Sequence, residues 1–404
     1  MKRGQFQAIV GAVIGLSSVI APLIGGAFVT HVTWRWCFYL NLPIDGIAFL
    51  AIFVCYKPLP SKQRKWAEKL AMMDYIGTIL LTSGIVLLLL ALNWGGNYPW
   101  QSVAVILNFC LAAVLLVGFA FWNCIFSKVP LVPNALLRCP AVVACALGML
   151  FMLMFFTGTI LYLSVYFQIV WQATALQAGV DLLPFILAFT VFSVIGGVAI
   201  TKTGLVKPFV VFGISLMFLG AGLLTLLDNH SSQSERIGLL ILPGVGIGFL
   251  FQGYILSAQL AAPAGQQGLI ISTSLLALAR SMGGAVGSAI AGTIFNISLQ
   301  RKLNGSPKSL NLNASGLANN PGAIAKLPSD IEETVIRFAA ESARNVFFGM
   351  LGFAACAFAF SMFTTSKRFK RERPGAVEEE VKGHTAGNDL HADAIVMNKA
   401  SGKP

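Results

Sequence analysis

Few residues in this chain can do chemistry, and most of them stand where charge is costly. Arg280, in LLALARSMGGAVG, lies well inside a long apolar run. A guanidinium at the centre of a membrane helix costs about 2.5–3.5 kcal/mol on insertion scales, so it must face a cavity or a partner. Two readings stay open for it: a contact that locks helices together, or a station on a transport pathway. Asp45, in NLPIDGIAF, falls roughly midway along another apolar run. An acid there could exchange protons with one side of a membrane; the plainer reading is a hydrated acid near the outer interface. Asp181 (AGVDLLP) and Asp74 are expected to open apolar helices, where the helix dipole favours an acid in the first turn. Gln252, Asn108 and the aromatic stretch Tyr162–Trp171 (YLSVYFQIVW) could line a cavity, with Tyr166 and Trp171 equally suited to anchoring at an interface. Pro22, Pro43 and Pro184 fall within apolar runs, and each frees a carbonyl and bends its helix. Helices broken near the midplane are where transporters build sites, although a plain kink is the commoner case.

Other chemistries find no support. Paired acids and a nucleophile–base set are lacking, so an enzyme is not expected, and neither is a cofactor. His31, His230, His384 and His391 are scattered outside the apolar runs without ligand spacing, so no metal site is expected. The seven cysteines are an odd number, mostly in or beside the runs, which is packing usage and not a disulfide framework. The net charge of +12 does not form a face for nucleic acid, because the basic residues gather in particular connections.

The elements that must position these residues are about ten apolar runs: 8–29, 37–55, 75–92, 102–121, 142–167, 179–200, 208–227, 237–257, 269–296 and 345–364. A helix of about 20 residues crosses a hydrocarbon core roughly 30 Å thick. With 56% hydrophobic and 11% charged residues over 404 positions, the chain is expected to be an all-α polytopic membrane protein with the lipid bilayer as its solvent. Lys57, Lys62, Arg64, Lys65 and Lys69 lie between the second and third runs; Lys128 and Arg138 follow the fourth, and Lys202 and Lys207 the sixth. Lys367, Arg368, Lys370, Arg371 and Arg373 follow the last. The positive-inside rule then places these connections and both termini in the cytoplasm. Met1–Gln7 and the run behind it read as a signal anchor. The outer connection 298–344 is an exception in charge. It holds a candidate glycosylation sequon at Asn313, then SDIEETVIRFAAESAR. In that second piece Ser329 and Glu332 have capping-box spacing, which predicts a short amphipathic helix lying on the outer face. The tail 366–404 has the composition of disorder. Small-residue spacing at Gly11/Gly15, Gly244/Gly248 and Gly283/Gly287/Ala291 predicts close helix seams, static or sliding.

The stretch GAVIGLSSVIAPLIGGAFVTHVTWRWCFYLNLPI resembles the fifth and sixth helices of the major facilitator superfamily, most closely its fourteen-helix drug–proton antiporter branch, which includes fungal toxin and multidrug efflux pumps. That branch's antiporter signature ends in Gly-Pro-x-x-Gly-Gly; here Ala21-Pro22-Leu23-Ile24-Gly25-Gly26 fills it, with alanine for the first glycine. DYIGTILL, ALNWGG, YFQ with LQAG and LLP, LPGVGIGF and LARSMGGAVGSAIAGTIF are further matches. The resemblance implies that the first four family helices are absent and that the fold is partial. It divides the chain into a remnant of the N-terminal bundle (1–55), a linker with two extra helices (56–127), a C-terminal six-helix bundle (128–365) and a cytoplasmic tail (366–404). It implies export of small amphipathic organic compounds by proton antiport through alternating access at a plasma membrane, with Pro22, Gly25 and Gly26 shaping the helix that resists leak. Asp45 replaces the family's usual glycine, so no role carries over to it. Two alternatives stay open: a transport-incompetent fragment or mis-started gene model that lacks N-terminal helices or a partner chain, and an uptake transporter on the same fold.

Overall fold

Every regular element the structure describes is helical, as backbone in hydrocarbon requires, since a helix satisfies its own N–H and C=O groups. The structure is a computed structural model that describes residues 20–55, 73–96, 98, 100–127, 130–227, 232–263, 266–305, 314–319, 324 and 328–366, with isolated positions at 13 and 17. The Gly11/Gly15 seam, the Lys57–Lys69 cluster, Asn313 and the tail from 367 lie outside the described residues. Met1–Lys367 form one compact unit, which holds all of the described helices.

The helices are α1 (Ile20–His31), α2 (Asn41–Cys55), α3 (Tyr75–Gly95), α4 (Val103–Phe121), α5 (Pro140–Val170), α6 (Leu183–Thr203), α7 (Lys207–Leu224), α8 (Gln233–Ala261), α9 (Gln266–Asn304) and α10 (Ser329–Ser361). Among the described residues nine helices are long and apolar enough to cross a membrane, α2 being counted together with the preceding turn as Trp36–Cys55, and α1 is a shorter apolar helix. α2 buries none of its residues, and Leu42, Ile47, Phe49 and Phe53 stand open on it, as on a helix that meets hydrocarbon.

α5–α10 pack into a bundle in which α8 is held between α6 and α7, and α5 between α9 and α10. Small residues set these distances. A Cβ on Gly244 would overlap the Phe185 carbonyl of α6, and one on Gly246 the Met217 amide of α7. Pro243, inside α8, sits against Gly220 of α7, so the kink-forming ring has room. Gly283 and Gly287 of α9 rest on the backbone of Leu150 and Met154 in α5. Gly244, Gly248, Gly283 and Gly287 are therefore seam residues, where close backbone approach maximises van der Waals contact.

The hairpin α3–α4 is fastened at both ends. At one end Asp74 caps α3: its carboxylate accepts from the Gly77 amide (2.9 Å), the Trp122 indole N–H (2.8 Å) and the Ser127 hydroxyl (2.9 Å). A π-helical turn, Trp122–Phe126, closes α4 and aims these donors. Burial pulls the Asp74 pKa upward, but hydrogen bonds from Gly77, Trp122, Ser127 and the Leu131 backbone outweigh it and hold the group below the ordinary carboxylate value. At the other end the Thr293 hydroxyl of α9 donates to the Leu92 carbonyl at 2.7 Å. A groove of about 320 Å³ opens there between α3 and α9, lined by Leu92, Trp100, Ile290, Thr293 and Ile297 among others.

Several expectations are corrected. The outer amphipathic helix and the last span are one continuous helix, α10. Val335, Ala339, Ala343, Val346, Met350, Ala354, Ala357 and Ser361 form an unbroken buried stripe along it, while the charged Glu341 and Arg344 lie on the opposite, exposed side. α10 begins one residue earlier than the capping-box reading requires, with Pro328 as the residue before the first turn, so Ser329 is not its cap. At 39 and 33 residues, α9 and α10 are about 58 and 50 Å long, well beyond the hydrocarbon thickness. Their ends pair through Lys302 with Glu341 and Asn345 with Ser298 (3.2 Å), and Leu299 and Leu303 of α9 are buried nearby in sequence. Pro184 stands in the first turn of α6, where a missing N–H costs nothing, so it does not break that span, whereas the Trp36–Cys55 span is interrupted at Leu40, three residues before Pro43.

Candidate functional site

Arg280 lies fourteen residues into α9, about 21 Å along its axis. One turn further on, Gly283 and Gly287 press this helix onto α5, and the Thr157 hydroxyl of α5 reaches the Gly284 carbonyl at 3.0 Å. That contact fixes the rotation of α9 and leaves Arg280 exposed at the edge facing α8. Its guanidinium carbon lies 5.9 Å from the centre of the Phe251 ring on α8. Phe251 meets Phe189 of α6 edge-on at 5.8 Å, Phe189 meets Phe156 of α5 at 5.2 Å, and Phe156 stacks on Phe185 at 5.7 Å. Four helices thus each give a side chain to one row of aromatic rings ending in a cation. On the same face of α9, Thr273 and Ala277 are exposed, and Thr273 accepts from the Gln259 amide of α8 at 3.3 Å. Among the described residues no carboxylate lies within ion-pair distance of Arg280. Such a face offers ring stacking, cation–aromatic attraction and a planar set of hydrogen-bond donors.

The other sequence candidates are not gathered there. Gln252 lies one position on from Phe251, and its side chain runs over Gly197 of α6. The Asn108 amide donates to the Ala104 carbonyl of its own helix at 2.7 Å. Asp45 is exposed on α2. Asp181 does not open the sixth span: it ends a short helix, Ala175–Asp181, and accepts from Gln177 at 3.3 Å, while α6 begins at Leu183. The chain turns between the two helices because Pro184 belongs in a first turn and cannot continue an earlier one.

Pro22 and Gly26 meet that same short helix. A Cβ on Gly26 would lie 2.7 Å from the Leu176 Cα, and one on Gly179 would lie 3.0 Å from the Pro22 carbonyl. Gly25 has nothing within contact reach. The stretch ending at Trp171 forms a second aromatic group at the ends of α5 and α8. Trp171 stacks on Phe167 at 4.8 Å, Tyr166 meets it edge-on at 5.1 Å, and the Arg236 guanidinium lies 3.4 Å over its ring. Tyr166 is 2% exposed, so it is a packed residue and not an interfacial anchor. Sequence reasoning missed Phe156, Phe189 and Phe251. Nothing in their spacing separates them from the other phenylalanines, since their convergence spans three helices.

A sequence profile described as Major Facilitator Superfamily matches residues 1–291. An MFS-type transporter of Claviceps purpurea is 41% identical over 271 residues, covering 65% of this chain and 46% of that protein. The efflux pump aflT of Aspergillus parasiticus is 36% identical over 312 residues, covering 75% and 59%. Vacuolar basic amino acid transporter 3 of Saccharomyces cerevisiae is 30% identical over 405 residues, covering 89% and 88%. The chain therefore spans about half the length of the first two relatives and most of the third. In fold it is similar to a bacterial homolog of the human lysosomal transporter Spinster, crystallised inward-facing and occupied, with a TM-score of 0.50 at 16% identity over 89% of this chain and 84% of that one. With nine apolar helices of spanning length among its described residues and the profile covering well over half its length, this chain belongs to the Major Facilitator Superfamily of multi-pass membrane transporters.

Proposed function

We propose that this chain serves export of small amphipathic organic compounds by proton antiport with alternating access. The observation that carries the reading is the Arg280–Phe251–Phe189–Phe156 row, an exposed cation at the end of half-buried and buried rings inside a bundle of spanning helices. Relatives named as efflux pumps support it. The placement within the fourteen-helix antiporter branch rests on the signature at Pro22, Gly25 and Gly26. In this reading the seat of Pro22 and Gly26 against Ala175–Asp181 is where the two halves of the transporter bear on each other. Asp45 and Asp181 are the coupling candidates, 1–55 the remnant of the N-terminal bundle, 56–127 the linker with two extra helices, 128–365 the C-terminal six-helix bundle, and the plasma membrane the site of action with both termini inside.

A second reading, transport of basic amino acids, is favoured by the length over which the vacuolar relative matches. Both readings are tested by expressing the chain, with and without the four upstream helices that the family resemblance implies, in an efflux-deficient cell. Export predicts lower accumulation of an amphipathic toxin, reversed by a protonophore and by Arg280→Ala. Unchanged toxin levels together with arginine or lysine uptake into vacuoles would replace it with the second reading. Export insensitive to the protonophore would remove proton coupling.

A further inference from the structure

We infer that the face carrying Arg280 selects planar aromatic anions, carboxylates above all, over aromatic cations; this rests on the export reading above and names the substrate class of that site. Arg280 presents a planar guanidinium with five N–H donors and no acceptor. Its partner among the described residues is the Phe251 ring at 5.9 Å, near the limit at which a cation is held by an aromatic face. None of its N–H donors meets an acceptor among the described residues. In a low-dielectric setting an unpaired charge with unfilled donors is costly, and a ligand that completes both is bound preferentially.

No described acid lies within ion-pair distance of Arg280. Asp74 is saturated at the base of α3, Asp181 is bonded to Gln177, Glu235 caps α8 at Ser232, Asp45 stands on α2, Glu341 pairs with Lys302, and Asp330, Glu332 and Glu333 lie in the first turns of α10. A carboxylate matches the guanidinium fork in plane and in spacing, and an ammonium would be repelled by it. The rings fix the rest of the ligand. The Phe251 ring, half-buried beside the cation, offers the surface for a flat ring bonded to the carboxylate, and the buried Phe189 behind it holds that ring edge-on. Thr273, two turns along α9 and about 10 Å away, donates to the Leu269 carbonyl and accepts from Gln259, which closes that end of the face.

The test uses the full chain purified in detergent and three probes of equal ring size: 1-naphthoate, its methyl ester and 1-naphthylmethylammonium. Affinities are read by probe fluorescence anisotropy. Naphthoate is expected to bind at least about tenfold tighter than the ammonium, with the ester between them. Arg280→Gln should remove the preference, Arg280→Lys should keep its sign but reduce it, and Phe251→Leu should weaken naphthoate and ester alike. Equal or tighter binding of the ammonium, a preference that survives Arg280→Gln, or no binding of any probe overturns the inference. If the binding preference holds while expressing cells export none of these compounds, the export reading fails and the selectivity of the face stands.

Discussion

Gly248→Ala adds one methyl group in the α6–α8 seam, where three backbone atoms crowd it. A Cβ there lies 2.7 Å from the Phe189 carbonyl oxygen, 2.8 Å from the Ser193 nitrogen and 2.9 Å from the Phe192 carbonyl carbon. All three are backbone atoms, so no side chain can rotate away and the helices must part by roughly 0.5–1 Å. A gap of that size forfeits about a quarter to a half of each contact along the seam, and overpacking of this kind costs about 1–3 kcal/mol. Alanine recovers about 1 kcal/mol of helix preference, which blurs a comparison with the parent chain. Gly352→Ala removes that ambiguity. It lies inside α10 with nothing within 4 Å of a Cβ, so it carries the same helix gain without the clash. The two variants should therefore differ by about 1–3 kcal/mol, with Gly248→Ala the weaker. Heating in detergent followed by fluorescence-detected size exclusion ranks them, the unfolding being irreversible and the ranking kinetic. Because Phe189 sits in this seam and in the aromatic row, Gly248→Ala should also weaken naphthoate binding, whereas Gly352→Ala should leave it unchanged. A midpoint for Gly248→Ala equal to or above that of Gly352→Ala would refute the close-packed seam.

Asp74→Ala strips a shared acceptor from Gly77, Trp122 and Ser127, and should cost about 1–2 kcal/mol by the same heating assay. Since the folded pKa of Asp74 is depressed, its ionised form contributes stability above the unfolded value; the advantage over Asp74→Asn should persist at neutral pH and vanish as pH falls through the folded value. A difference that instead grows in acid would show that the carboxylate is not the stabilising form. Tyr254 is fully buried with its hydroxyl 2.6 Å from Ser361, which also donates to the Ala357 carbonyl. Tyr254→Phe should cost about 1 kcal/mol, and Ser361→Ala more, because it strands the buried tyrosine hydroxyl. Equal midpoints for these two variants would argue against that bond.

The membrane-spanning character was legible from run length and charge, because a hydrocarbon solvent imposes its thickness on each helix separately, whatever that helix packs against. Glycine spacing likewise announced the seams at Gly244, Gly248, Gly283 and Gly287, since close approach leaves its mark at a period along a single helix. Arg280 stood out for a similar reason: a lone charge in an apolar run is anomalous wherever it points. Its surroundings were not legible. Phe156, Phe189 and Phe251 come from three helices and read as ordinary apolar residues until rotation and crossing bring them together. Asp181 was misplaced because an acid beside an apolar run suits the end of one helix as well as the start of the next, and only the turn at Leu182 tells them apart. The continuity of α10 was hidden by Glu341 and Arg344, charges that interrupt the run in sequence yet lie opposite the buried stripe in space. Local solvent preference is written residue by residue, whereas direction around a helix axis, and hence who meets whom, is set by packing among helices far apart in the chain.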